Sequence, residues 1–235
     1  MRPIIIGIGG AHSGSGKTAC ASSLIQNLRN WGAIKYTKTA IYSSVTEDID
    51  ILSKENKDTK RLLDAGAEKV VWVQSPPDKL SDVLPLATER LAGFRGIIVE
   101  GNSAIEFLNP DIIIFMFGKD PKRIKESSKK ILGMSDVVFL DGEPPADIGT
   151  GRNVKLFSRS FVNSSEFIAC IERMIEKMEI KERLKTVILE KAINGKLPCP
   201  VARRTAEEMA VSYKEVGDAA DELKIKIADC ELGCF

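Results

Sequence analysis

The stretch Ile4-Ile5-Ile6-Gly7-Ile8-Gly9-Gly10-Ala11-His12-Ser13-Gly14-Ser15-Gly16-Lys17-Thr18 decides the class of this chain. An apolar run ends in paired glycines, a glycine-spaced loop follows, and Lys17-Thr18 opens a segment with helical spacing. Strand, loop and helix in that order are the context of a phosphate-binding loop, the Walker A or P-loop motif. Glycines at 14 and 16 let successive backbone N–H groups turn inward around phosphate oxygens, and the helix N-terminus adds partial positive charge. Ser13, Gly14, Ser15, Gly16, Lys17 and Thr18 are therefore the candidate nucleotide contacts. Lys17 is expected to reach the β- and γ-phosphates as a catalytic cation, and the Thr18 hydroxyl to ligate Mg²⁺. Ala11 stands where glycine is more common, which the loop accepts if φ there is negative. His12, the only histidine, lies inside the loop. A γ-phosphate or pH sensor is one reading of it, and a residue lining the rim is the favoured one.

Outward from the loop, short apolar runs alternate with longer amphipathic stretches, the pattern of a mostly parallel central sheet with helices on both faces. Strands are read near residues 3–9, 33–39, 69–74, 96–100, 111–117, 136–140 and 154–158. Gly96-Ile97-Ile98-Val99 and Ile112-Ile113-Ile114-Phe115-Met116-Phe117 lack polar alternation, which places them at the centre of the sheet. Residues 17–31, 58–65, 80–91 and 121–132 carry helical spacing, with Gly32 read as the C-cap of the first. Residues 164–191 turn rich in lysine and glutamate around an apolar stripe and read as one long helix. The expected organisation is an α/β P-loop domain over 1–163, a connecting helix over 164–196 and a small C-terminal module over 197–235.

A P-loop enzyme also needs a carboxylate at the end of a neighbouring buried strand, to hold Mg²⁺ or orient water. Glu100 ends the run Ile97-Ile98-Val99, whereas Asp111 begins the next one. Ligands of open α/β sheets gather at the carboxyl ends of strands, so Glu100 is the candidate catalytic and metal-binding carboxylate. After the second strand, Lys38 is a candidate for substrate contact, while Asp48 and Asp50 read as solvated loop charges. The base is not encoded in a recognisable motif: Leu140 is followed by Asp141-Gly142-Glu143, not Asn-Lys-x-Asp, and Asn56-Lys57-Asp58 has the wrong spacing. ATP and GTP both remain open.

Thirty-four Lys and Arg balance thirty-three Asp and Glu, a formal net charge of +1. No global field exists to gather nucleic acid or anionic lipid. No apolar run is long enough to span a bilayer, and the N-terminal apolar stretch breaks into glycines, unlike a signal peptide. The five cysteines are an odd number in a chain without an export signal, which argues for reduced thiols or metal ligands in the cytoplasm.

The order P-loop, Lys38, Lys57-Asp58-Thr59-Lys60-Arg61 with Ala65-Gly66-Ala67, then Val99-Glu100-Gly101, resembles the molybdopterin-guanine dinucleotide biosynthesis protein B family. The resemblance covers about the first half of the chain. That family looks like a branch of the P-loop class that includes metallocentre GTPases and the dethiobiotin synthetase type. It implies nucleotide binding, weak hydrolysis and an accessory role in molybdenum cofactor or metallocentre assembly, beside a protein partner. Two positions depart from the family: Lys38 is followed by Thr39, not His, and Gly101 by Asn102-Ser103, not Phe-Lys. Alternative readings are a nucleotide-gated regulatory adaptor, or a small-molecule kinase or ligase of the dethiobiotin synthetase-like branch. A homodimer is compatible with each.

Residues 205–211 and 213–223 read as two helices about a turn at Ser212, and Ile225-Lys226-Ile227 as a strand that would begin a wing. The second helix is acidic, where a major-groove reader needs cationic or amide donors. The module is therefore expected to dock protein, not DNA. Cys20 and Cys170 fall within helices as packing residues. Cys199, Cys230 and Cys234 gather in the last segment, where three thiolates suit Zn²⁺ or an iron–sulfur cluster and unpaired thiols are the alternative.

Overall fold

The structure is a computed structural model, and it describes residues 2–143 and 154–228. In chain order it builds β1 (Ile4–Gly10), α1 (Lys17–Asn27), β2 (Trp31–Lys38), β3 (Ser44–Thr46), α2 (Ile49–Leu52), α3 (Asp58–Asp64), β4 (Lys69–Ser75), α4 (Leu80–Glu89), β5 (Gly96–Glu100) and α5 (Asn102–Leu108). There follow β6 (Ile112–Met116), α6 (Glu126–Met134), β7 (Val137–Phe139), β8 (Lys155–Phe157), α7 (Ser165–Lys191), β9 (Lys196–Pro198), α8 (Cys199–Met209), α9 (Tyr213–Glu222) and β10 (Lys226–Ala228).

The sheet runs in the order β3-β4-β2-β5-β1-β6-β7-β8 and is parallel except for the β3 edge, which pairs antiparallel with β4. The P-loop strand β1 is hydrogen-bonded by β5 on one side and β6 on the other. All three are buried through most of their length, as parallel strands covered on both faces must be. This is the mostly parallel, doubly covered sheet of the P-loop fold, and a small helical module follows it in the chain.

Strand periodicity sorts the side chains onto two faces. Ile34 and Tyr36 of β2 and Val99 of β5 pack with Leu80, Val83 and Leu84 of α4. Farther along, Ile113 and Phe115 of β6 pack with Ile105 of α5 and Ile131 and Leu132 of α6. The alternate residues, Lys35 on β2 and Glu100 on β5, therefore turn to the face covered by α1 and α3, helices that pack on each other and on β1, β2, β4 and β5. At the far end of the sheet Phe139, Phe157 and Phe167 form an aromatic cluster with centroids 4.8 to 5.7 Å apart.

Three local expectations are corrected. Gly32 is not a C-cap: α1 ends at Asn27, Leu28 is already extended, and Gly32 lies inside β2. The reversal is made by Asn30 at φ 63°, since asparagine enters the left-handed region readily. The helix read over 121–132 begins only at Glu126. The preceding residues form a loop tied down where the Lys125 N–H donates to the Ala11 carbonyl at 3.1 Å. The first C-terminal helix starts at Cys199, six residues before position 205, because Pro200 sits at the start of α8 where its missing N–H costs nothing.

The described chain divides into two compact units, residues 2–170 and the segment from Ile171 onward. In the second, Leu184 and Ile188 of α7, Leu197, Ala202 and Ala206 of α8, and Val216, Ala219 and Ala220 of α9 share one core. Ser212 caps α9 in a reciprocal capping box with Glu215. Among the described residues no wing forms: β10 runs parallel to β9, which precedes both helices, with Lys226 opposite Lys196 and Ile227 opposite Leu197. Among the described residues no helix is long and apolar enough to cross a membrane.

Candidate functional site

The loop leaves β1 with the Ala11 N–H donating to the Met116 carbonyl at 3.0 Å. Gly14 at φ 78° and Gly16 at φ 102° are left-handed conformations that glycine supplies at least strain. Gly16 is the N-cap of α1 and no side chain caps the helix, so its first-turn N–H groups are offered to a ligand. Lys17 curls back over the loop, its Nζ donating to the His12 carbonyl at 3.0 Å and to the Ser15 hydroxyl at 3.5 Å. Burial pushes its pKa down, opposed by the charges of Glu100 and Asp58. Ser15 is fully buried beneath the loop, while Ser13 and Gly14 are exposed at the rim.

Below the loop lies a compact charged group. The Thr18 hydroxyl donates to both Glu100 carboxylate oxygens, at 3.1 and 3.0 Å. Glu100 is 1% exposed. The Lys35 ammonium donates to Glu100 Oε1 at 2.5 Å and to Asp58 Oδ2 at 2.6 Å. Burial raises the Asp58 pKa, but Lys35, Thr18 and Arg61 outweigh it and the net shift is downward. Thr18, Asp58 and Glu100 thus present hard oxygen donors around one point, a set whose chemistry fits Mg²⁺.

A second set braces the loop from the other side. Asn102 Oδ1 accepts from the Gly10 N–H at 2.9 Å, and its Nδ2 donates to the Gly10 carbonyl at 3.0 Å and to the Ser128 hydroxyl at 2.9 Å. Ser128 in turn donates to the Ala11 carbonyl at 3.2 Å. The cavity over the loop has a volume of about 830 Å³. It is lined by five cations, Lys17, Lys35, Lys38, Arg61 and Lys125, against two carboxylates, Asp58 and Glu100. That surplus suits a polyanion.

Lys17, Thr18 and Glu100 meet within one cavity and Lys38 lines it. His12 donates from Nδ1 to the Ser13 carbonyl at 2.6 Å, its ring lying where Gly118 has no side chain. Asp48 caps α2 through the Asp50 N–H, and Asp111 accepts from the Ile5 N–H at the entry end of β1. Asp141 is engaged by Ser158 and by the Arg159 N–H, which hold its pKa down. Cys20 and Cys170 are buried and Cys199 is half-buried. Cys230 and Cys234 lie outside the described residues, and among the described residues no cluster of three metal-ligating side chains forms. Lys35, Asp58 and Asn102 are the site residues that sequence reasoning did not single out. Asp58 and Arg61 belong to the segment that carried the family resemblance, and Asn102 is one of the positions that depart from it.

No protein-family model matches the chain, and no curated protein matches it. Among solved structures, the signal recognition particle 54 kDa protein of Aeropyrum pernix K1 in complex with GDP is similar over 95% of this chain and 77% of its own. The identity is 14% and the TM-score 0.39.

Proposed function

We propose that this chain binds a nucleoside triphosphate through its P-loop and hydrolyses it slowly to the diphosphate and phosphate. The observation that carries the reading is the uncapped N-terminus of α1 opening, beside Lys17, into a cavity with a surplus of cations. Gly14, Gly16 and the first turn of α1 would hold phosphate oxygens through backbone N–H groups, with Lys17 as the charge partner of the β- and γ-phosphates. Thr18, Asp58 and Glu100 would hold Mg²⁺, which when bound neutralises phosphate charge. Glu100 would also orient water, and the Asn102 and Ser128 bonds to the loop carbonyls would keep the amide cradle rigid. The finer reading of an accessory factor in molybdenum cofactor or metallocentre assembly rests on the sequence resemblance of the segment that carries Asp58 and Arg61, both of which line the cavity.

Thermal unfolding against a panel of ATP, GTP and their diphosphates with Mg²⁺ tests this. A true ligand at about 100 times its dissociation constant adds roughly 2.7 kcal/mol. No stabilisation by any triphosphate removes the reading. Steady phosphate release without a partner favours the NTPase, and tight binding without turnover favours a nucleotide-gated adaptor acting through the C-terminal unit.

A further inference from the structure

We propose that Lys35 is a built-in cation that fills the metal position until nucleotide arrives, so that this site takes a divalent ion only together with phosphates. The inference rests on the nucleotide-binding reading and concerns what that site does before it is loaded. Its basis is a juxtaposition fixed by the backbone. Lys35 and Glu100 are register partners on adjacent parallel strands, and strand alternation turns both to the face of α1 and α3. The register holds the two side chains on one face, and the Lys35 ammonium lies 2.5 Å from Glu100 Oε1. It also reaches Asp58 at the first turn of α3, so one nitrogen bridges the two carboxylates that, with Thr18, make up the oxygen set.

The Lys35 ammonium meets both Asp58 and Glu100, and Lys17 beside them is acted on by Glu100, Lys35, Asp58 and Lys125. The Lys35 side chain is 13% exposed and that of Glu100 2%, so water screens the contact little. A divalent ion arriving alone would bring two charges into a cavity where cations already outnumber the carboxylates and would have to expel an ammonium from both its acceptors. A triphosphate supplies what that exchange lacks: anionic oxygens to receive the Lys35 ammonium on one side and to share the metal on the other. Lys35 thereby couples metal entry to nucleotide entry.

The test uses Mn²⁺ as a paramagnetic stand-in for Mg²⁺, titrated into the full chain and followed by electron paramagnetic resonance, without and with ATP or GTP. Without nucleotide, the wild-type protein should bind Mn²⁺ about tenfold or more weakly than Lys35→Met, which removes the resident charge while keeping the length of the side chain. Lys35→Arg should exclude free Mn²⁺ as the wild type does. Circular dichroism and melting curves confirm that each variant is folded. Equal affinity of wild type and Lys35→Met for free Mn²⁺ overturns the inference. If Lys35→Met fails to fold, wild type alone decides: tight stoichiometric Mn²⁺ binding without nucleotide overturns the proposal, and binding that appears only with triphosphate supports it. The outcome is separable from the parent reading, because a chain that binds triphosphate but also binds free Mn²⁺ tightly retains its proposed function and loses only the role of Lys35.

Discussion

Lys35 and Glu100 stand opposite each other on β2 and β5, and the ammonium of one lies 2.5 Å from the carboxylate of the other. The same carboxylate accepts the Thr18 hydroxyl from the first turn after the P-loop. Strand register thus ties the phosphate loop to a buried charge on a strand that the sequence reaches only 82 positions later.

Glu100→Gln keeps the shape and the hydrogen-bonding oxygen but removes the charge. Turnover is expected to fall by about two orders of magnitude while nucleotide affinity changes little, as for a group that orients water or metal in the transition state. Single-turnover phosphate release set beside equilibrium binding of a fluorescent nucleotide separates the two effects. Equal losses in both would make Glu100 a structural residue.

Lys17→Ala removes a cation whose pKa burial already pushes down, so the fold should tolerate its loss, with Glu100 still held by Lys35 and Thr18. Affinity for triphosphate should fall about tenfold to a hundredfold, the worth of one or two charge-assisted hydrogen bonds. Calorimetric titration with ATP and GTP measures it, and unchanged affinity for both contradicts the phosphate-loop assignment.

The sheet, the loop and Glu100 are legible in the sequence because each is written in contiguous residues: an unbroken apolar run, a glycine spacing, a carboxylate at a strand end. Lys35 is not, since it sits in the middle of a strand where it reads as one polar residue among apolar ones. Only the β2–β5 register shows that its partner is Glu100. Lys38 drew attention in its place because strand ends are where ligands gather, and it does line the cavity. Asn102 was missed because α5 is seven residues long, too short for helical periodicity to emerge. Gly32 misled for a related reason: a glycine after a periodic stretch reads as a cap, but Asn30 makes the turn and Trp31 is already a buried strand residue.

Phe167 anchors the first turn of α7 in the larger unit. It is fully buried and meets Phe139 edge-on at 4.8 Å and Phe157 at 5.7 Å. Phe167→Ala should cost about 3–5 kcal/mol, the usual penalty for emptying an aromatic site. Urea unfolding followed by tryptophan fluorescence reads this from Trp31 and Trp72, both in this unit. A cost under about 1 kcal/mol would mean that the cluster relaxes to fill the space.

A reciprocal cap holds the start of α9. The Ser212 hydroxyl accepts the Glu215 N–H at 3.2 Å, and Glu215 Oε2 accepts the Ser212 N–H at 2.8 Å. Ser212→Ala removes the first bond and the one its hydroxyl donates to Glu215 Oε2 at 2.8 Å, and should cost about 1 kcal/mol, speeding amide exchange across α9 by about fivefold at neutral pH. The Glu215 carboxyl is held below its ordinary pKa by the backbone and hydroxyl of Ser212. A carboxylate lowered on folding stabilises above its unfolded pKa, near 4.3, and that contribution is lost as pH falls through the folded value. Exchange of the wild-type helix should therefore quicken below about pH 4.3, relative to the intrinsic amide rate, and the gap between wild type and Ser212→Ala should narrow there. A gap constant from neutral to acidic pH would show that the bond from the Ser212 hydroxyl to the Glu215 carboxylate adds nothing to the cap.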